Sequence, residues 1–177
     1  MVYIKINKSD KVPVRYVPIH LTRKDKKRQM KYLNKSRDEY KKGKYFTRPK
    51  IKSFKSRRSK HTARLQQLYN VKNAAPNKEL SEKSKCSIET LEKIVNKGKG
   101  AYLSSGSRPN QTPSSWGYAR LASALTGGNA AITDYKLLRM GCSPNSKSLR
   151  LAKSLCVKRS KCNLTKKKKK YTDQIEK

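Results

Sequence analysis

The chain has 177 residues and carries 46 lysines and arginines against 11 acids, a formal net charge of +35. Apolar residues make up 34%, below the roughly 45–50% of an ordinary globular domain, so one core cannot take in the whole chain. Composition excludes a membrane span, which needs roughly 18 apolar residues in a row, and self-repulsion argues against a free monomer without a polyanionic partner.

Charge divides the chain unevenly: residues 1–75 hold a net +20, residues 76–146 a net +5 and residues 147–177 a net +10. The expected fold class is mainly α, a small helical domain with long basic, partly extended N- and C-terminal arms. The domain occupies 76–157, the N-terminal arm 1–75 carries one or two helices, and a basic tail covers 158–177. In the arm, the alternation of VYIKI fits a short strand, and Pro13 and Pro18 hold the next stretch extended. Thr22 with Asp25 forms a capping pair and Gly43 stands where a C-terminal cap would, which predicts a helix over 23–42. Its apolar residues are sparse (Met30, Leu33, Tyr40), so one narrow stripe docks and the rest is a basic solvent or partner face. The segment KYFTRPKIKSFKSRRSK that follows reads as an extended basic strap. A short helix follows over 60–70.

The middle reads as helix, turn, helix over 79–97, with Ser87 capping the second helix and Gly98 ending it. A Gly-, Ser- and Pro-rich loop leads to a helix from Trp116 to about Leu125, capped by Ser114 or Ser115 and stopped by Gly127 and Gly128. Helices near 132–140 and 147–157 complete the domain.

Lysine and arginine at this density favour any polyanion, mainly through release of condensed counterions. The candidate contact residues are Arg48, Lys50, Lys52, Lys55, Arg57, Arg58 and Lys60 in the strap and Lys166, Lys167, Lys168, Lys169 and Lys170 in the tail. Tyr45, Phe46 and Phe54 interleave with the strap cations, a pattern that suits stacking on unpaired bases; the alternative is packing on a neighbouring protein. Such a charge pattern positions a phosphate backbone and does not read bases. The helix pair over 79–97 lacks a basic recognition face, and Glu89 and Glu92 fall where phosphate would lie. A candidate anion loop combines Ser107, Arg108, Asn110 and Arg120, just before a helix N-terminus. The alternative is that Arg108 and Arg120 pin the loop to the core and Trp116 fills it.

Catalysis finds no support. His20 and His61 lie in the basic arm, and no cysteine neighbours a histidine. Cysteines 86, 142, 156 and 162 lack zinc-ligand spacing; they are expected reduced, with Cys142 and Cys156 buried in the core. The expectation is a non-enzyme with no cofactor, no metal and no small-molecule substrate.

Two blocks carry a resemblance. KVPVRYVPIHLTRKDKKRQMKYLNKSRDEYKKGKYFTRPKIKSFKSRRSKH (11–61) and KGKGAYLSSGSRPNQTPSSWGYARLASALTGGNAAITDYKLLRMGC (97–142) resemble an uncharacterised family of basic proteins in large DNA viruses of algae and amoebae. The string SSGSRPNQT…SWG…ARLAS…TGG is its most specific part. The resemblance implies a virion protein made in the host cytoplasm and not secreted. The leading expectation is a minor capsid protein under the major shell, tying capsomers together through its arms. Its partners would be the major capsid protein and other minor capsid proteins, with viral DNA or the anionic surface of an inner membrane below. The alternatives are a sequence-independent DNA-condensing core protein and, with least support, an enzyme acting on nucleic acid or nucleotide through the Arg108 loop.

Overall fold

A computed structural model describes the backbone of residues 3–5 and then residues 11–57 and 59–159. The protein is mainly α-helical. Strand β1 (Tyr3–Lys5) pairs antiparallel with β2 (Lys11–Pro13), Ile4 opposite Val12. A single 3-10 turn over Val14–Tyr16 then brings Tyr16 and Val17 into the interior.

Helix α1 (Arg23–Lys41) starts and stops where local chemistry dictates. The Thr22 hydroxyl accepts the Asp25 N–H. At the other end Gly43 adopts φ +74°, and the N–H groups of Gly43 and Lys44 donate to the carbonyls of Tyr40 and Glu39. That pair of bonds is a Schellman cap, which requires the left-handed conformation that glycine tolerates. The helix buries Asp25, Gln29, Leu33 and Ser36, one stripe at i, i+4, i+8 and i+11.

Helices α2 (Lys60–Tyr69), α3 (Lys78–Ser84), α4 (Ile88–Ser104), α5 (Pro113–Leu125), α6 (Asn129–Thr133), α7 (Tyr135–Gly141) and α8 (Lys147–Arg159) follow. Helix α4 runs through Gly98, where the sequence predicts its end. The glycine serves a different purpose there: a Cβ on Gly98 would lie 2.6 Å from the Cα of Gly117. The two glycines let α4 and α5 cross backbone to backbone, the closest kind of helix approach. Helix α5 is capped by Thr112 rather than Ser114 or Ser115. Thr112 and Ser115 form a reciprocal capping box and Pro113 takes the first turn, where its missing N–H costs nothing. The helix expected near 132–140 is divided at Asp134 into α6 and α7.

Leu65, Leu80, Leu91, Ile94, Leu121 and Leu125 are fully buried at the centre of the main core, each such burial contributing about 1.5–3 kcal/mol. A disulfide joins Cys86, between α3 and α4, to Cys142, between α7 and α8. The half-cystines sit opposite each other in an isolated antiparallel bridge, with Ser87 N–H donating to the Gly141 carbonyl and Ser143 N–H to the Lys85 carbonyl. This is the non-hydrogen-bonded pairing in which Cα atoms approach most closely, and the separation is 3.9 Å. The expectation of reduced cysteines is thereby corrected for Cys86 and Cys142: the bridge joins residues 56 apart, and no sequence spacing announces it. Cys156 is buried, as expected, but is also disulfide-bonded.

A second cluster (Val12, Tyr16, Val17 and Leu33, with Met30 and Trp116 against it) attaches the N-terminal segment to the domain. The expected boundary at residue 75 therefore moves. Residues from Val12 through the strap pack on the folded body: Val12, Tyr16, Val17 and Leu33 form this second layer and Leu21 and Ile51 are buried as well, while Ile19 and Tyr45 stay exposed.

Candidate polyanion surface

Since α1 buries the stripe Asp25, Gln29, Leu33 and Ser36, its other faces turn outward. Lys24, Lys27, Arg28, Lys31 and Lys35 are all exposed there. At 100° per residue they fall within one arc opposite the buried stripe, and the rises 24→28→31→35 are about 6, 4.5 and 6 Å. Within this arc Arg28 makes an ion pair, at 3.7 Å to Asp25. Such a contact between partly exposed groups contributes little. Asp38 lies a turn further on, paired with Lys41 at 3.8 Å. The face is a cationic ridge.

The strap runs back along α1 in the opposite direction. Ser53 N–H donates to Asp25 Oδ2 at 3.0 Å near the start of the helix, and the Phe46 carbonyl meets Ser36 Oγ near its end. Hydrogen bonds from Ser53, through its side chain and then its backbone, hold the Asp25 carboxyl below the usual carboxylate range. Asn110 fixes the middle. Its Oδ1 accepts from Ile51 N–H at 2.7 Å, and its Nδ2 donates to the carbonyls of Ile51 and Phe54.

Arg48 is the joint. Its guanidinium is buried and donates to Ser36 Oγ (3.0 Å), the Tyr102 carbonyl (3.0 Å) and Ser107 Oγ (2.7 Å). It also lies 3.7 Å from the centroid of the Tyr102 ring. Burial pushes its pKa down, though an arginine stays protonated at neutral pH. The sequence groups Arg48 with the contact cations; the structure turns it inward, because three acceptors from α1, α4 and the following loop converge on it. Lys50, Lys52, Lys55, Arg57 and Lys60 are exposed. Arg58 and Lys166 to Lys170 lie outside the described residues.

The candidate anion loop does not assemble. Ser107 is fully buried and occupied by Arg48, and Asn110 is engaged with the strap. Arg120 is drawn to Asp134, fully buried, through two bonds of 2.7 and 2.8 Å, and Lys97 joins it at 2.8 Å. Arg108 alone of the four is exposed. Its loop partners are legible as polar residues but not as partners of the protein's own backbone.

Aromatic rings accompany the strap cations. Tyr45 is 77% exposed, and its ring stands 6.2 Å from that of Tyr40 at 34°. Phe46 pairs with Tyr32 at 6.3 Å and lies 4.7 Å from Lys35 Nζ. Near the other end of α1, His20 stacks on Phe54 at 5.8 Å. Glu89 and Glu92 are exposed at the start of α4, about 20 Å along that helix from Leu103, where Ser36 of α1 is bonded. The acidic end of the helix pair and the cationic ridge are thus kept apart. Among the described residues no helix is long and apolar enough to cross a membrane, and no group of three or more His, Cys, Asp or Glu is placed to hold a metal ion.

No curated protein and no solved structure matches the chain. The model of a family of unknown function, DUF5824, matches residues 13–145. The match begins in the second cluster, takes in α1, the strap and the crossing of α4 and α5, and ends just past the disulfide; the chain belongs to this family.

Proposed function

We propose that the chain is a non-enzymatic, sequence-independent polyanion-binding protein of a large DNA virus particle, with nucleic acid as its partner. The observation that carries the reading is the α1 ridge: Lys24, Lys27, Arg28, Lys31 and Lys35 on one exposed arc, held rigid by a helix anchored along its whole inner face. A rigid cationic face binds phosphates without first ordering itself, and it gives register on a backbone without base readout. The lacing role of a minor capsid protein relied on a long N-terminal arm; with residues 12–57 folded into the body, that role loses its main instrument. It remains the second reading, favoured by Ile88 (40% exposed) and Met140 (73% exposed), two residues from each half-cystine, which offer apolar contact to a protein neighbour.

The test is the salt dependence of duplex DNA binding, followed by fluorescence anisotropy, for the native chain and for the combined variant Lys24→Gln, Arg28→Gln, Lys31→Gln and Lys35→Gln. Each phosphate contact adds about 0.9 to the slope of log affinity against log salt, so the variant's slope is expected to fall by about 3–4. An unchanged slope refutes the ridge as the contact. Fractionation of particles then separates the two readings. Release by nuclease or high salt places the protein with the genome, and retention at a fixed ratio to the major capsid protein places it in the shell.

A further inference from the structure

We infer that the protein is bivalent: the exposed face of α8 is a second phosphate-binding surface, so that one chain bridges two separate segments of double-stranded DNA. This rests on the polyanion reading of the α1 ridge and deepens it.

The placement of the two helices carries the inference. Helices α4 and α5 run in opposite senses between two ends of the body. At one end α1 is bonded to the close of α4, with Ser36 Oγ donating to the Leu103 carbonyl and Arg37 to that of Ser105. At the other end Ser148 of α8 lies 3.3 Å from Cys86 Sγ, just before α4 begins. Leu151 packs there too, since a Cβ on Gly127, just past α5, would lie 3.1 Å from its own Cβ. From Ile88 to Leu103 the spacer α4 rises about 22 Å. The Cys86–Cys142 disulfide ties its start to the segment that leads into α8, so the α8 end is held as firmly as the α1 end.

The outer face of α8 is cationic in its own right. The helix buries Ser148, Leu149, Ala152 and Cys156. Opposite that stripe the exposed Lys147, Arg150 and Lys158 fall within about 80° of arc, with exposed Lys153 at its edge. No acid occurs in α8, and residues 129–159 hold only Asp134, which is buried against Arg120 and Lys97. None of the four cations is ion-paired among the described residues. The acids of α3 and early α4 lie toward the first turn of α8, where Glu79 pairs with Lys83 and Glu89 with Lys93. Arg150, Lys153 and Lys158 stand about 4.5, 9 and 16.5 Å further along the helix than Lys147. The far end meets more positive charge. Arg159 donates to Asn129 Oδ1 at 2.6 Å, and His61 abuts the neighbouring Gly128, next to exposed Lys60.

Each helix turns its buried stripe to the body, so the two faces point away from it at separate ends. A duplex is stiff over about 150 base pairs and does not fold back around a spacer of about 22 Å. Each face therefore takes its own segment, with its own release of counterions.

The experiment is a capture assay with the full chain. A duplex fixed to beads is loaded with protein and washed, and a labelled second duplex is added. The native chain is expected to retain the label. The combined variant Lys147→Gln, Arg150→Gln, Lys153→Gln and Lys158→Gln keeps helix propensity. It should bind one duplex with the native salt slope and capture the second at least about tenfold less, because four phosphate contacts are gone. Lys147→Arg, Lys153→Arg and Lys158→Arg together should capture as the native chain does. Unchanged capture by the glutamine variant overturns the α8 face and puts the second contact in the tail or in a second copy of the chain. Capture of no second duplex by the native chain, with the ridge's salt slope intact, overturns bridging and leaves the polyanion reading standing. Failure to bind even the first duplex overturns both.

Discussion

Replacing Arg48 with alanine separates a structural arginine from a contact arginine. The substitution removes three charge-assisted hydrogen bonds, to Ser36, Ser107 and the Tyr102 carbonyl, and a cation–π contact at 3.7 Å. At about 1.5–3 kcal/mol per charged hydrogen bond and about 2 for a desolvated cation–π contact, the gross loss is roughly 6.5–11 kcal/mol. Against it stands the desolvation of a buried guanidinium that no described carboxylate neutralises, a cost of several kcal/mol recovered when the charge is removed. Two acceptors also keep other partners, since Ser36 Oγ donates to the Leu103 carbonyl and Ser107 Oγ to that of Arg108. The net expectation is a loss of about 3 kcal/mol, a melting point lower by about 6–12 °C for a domain of this size. Arg48→Lys keeps the charge but cannot reach three divergent acceptors with one ammonium, and is expected to lose about 2 kcal/mol. Urea denaturation followed by the emission of Trp116 is the assay. That indole stands edge-on to Tyr16 at 6.0 Å in the second cluster and reports on the layer that Arg48 ties down. An unchanged midpoint, with a smaller salt slope for DNA binding, would refute the reasoning and return Arg48 to the surface.

Three further outcomes follow from the packing and the covalent frame. Gly98→Ala places a methyl 2.6 Å from the Gly117 backbone, and a thermal melt should show a loss of about 1–3 kcal/mol. Gly100→Ala, whose nearest neighbour is Tyr40 Oη at 3.7 Å, should be neutral or gain up to about 1 kcal/mol from helix propensity; equal losses at both positions would contradict the close crossing. Cys86→Ser opens a bridge between residues 56 apart, an expected cost of about 4 kcal/mol by loop-closure entropy. Melting with and without dithiothreitol, with thiol alkylation read by mass, checks it, and the variant should lose the part of the reductant response that this bridge supplies. Burial pushes the Tyr69 hydroxyl up to about 12 from an ordinary value near 10. The folded state therefore holds this proton more tightly than the unfolded one, so its contribution is complete below pH 10 and fades as pH rises from about 10 to 12, by roughly 2–3 kcal/mol. In Tyr69→Phe that alkaline decline should be shallower, though the lost bond to the Leu125 carbonyl lowers stability at neutral pH by about 1 kcal/mol.

What the sequence discloses and what it withholds divide by range. Both ends of α1 are legible because each is fixed within four residues: Thr22 caps Asp25, and Gly43 closes on Glu39 and Tyr40. The Ser87 cap of α4 is local in the same sense. Gly98 misleads because a glycine late in a periodic stretch has two uses, a helix stop or a close approach, and only Gly117, nineteen positions on, decides between them. Arg48 misleads for the same reason on a larger scale. Within KYFTRPKIKSFK it is one more cation, and its role is set by Ser36, Tyr102 and Ser107, the last 59 residues away. Asn110 carries a partial signal, since asparagine tolerates the φ of +59° it adopts better than most residues, but its grip on Ile51 and Phe54 is again long-range. The ridge is visible as a basic face; which cations line it becomes definite only with the buried stripe.

The distribution of acids explains how a chain with this charge folds and still presents a cationic face. Among the described residues two carboxylates are buried, and only Asp25 touches the ridge, through Arg28. Asp134 gathers Arg120 and Lys97 at the junction of α4, α5 and α6, offsetting one of the two positive charges at a crossing that brings backbones together. Asp25 commits its second oxygen to the strap's backbone and leaves Arg28 a loose contact at 3.7 Å. Glu79, Glu82, Glu89 and Glu92 accompany α3 and the start of α4, so that corner is close to balanced while α1 and the strap are not. The unbalanced repulsion destabilises the free protein, and a bound polyanion removes it. Added salt therefore acts with opposite signs on the two states: screening relieves the repulsion within the free domain and weakens the complex by reducing the gain from counterion release. Folding and binding draw on the same surface term, and a partner that neutralises the ridge stabilises the fold by the free energy with which it binds.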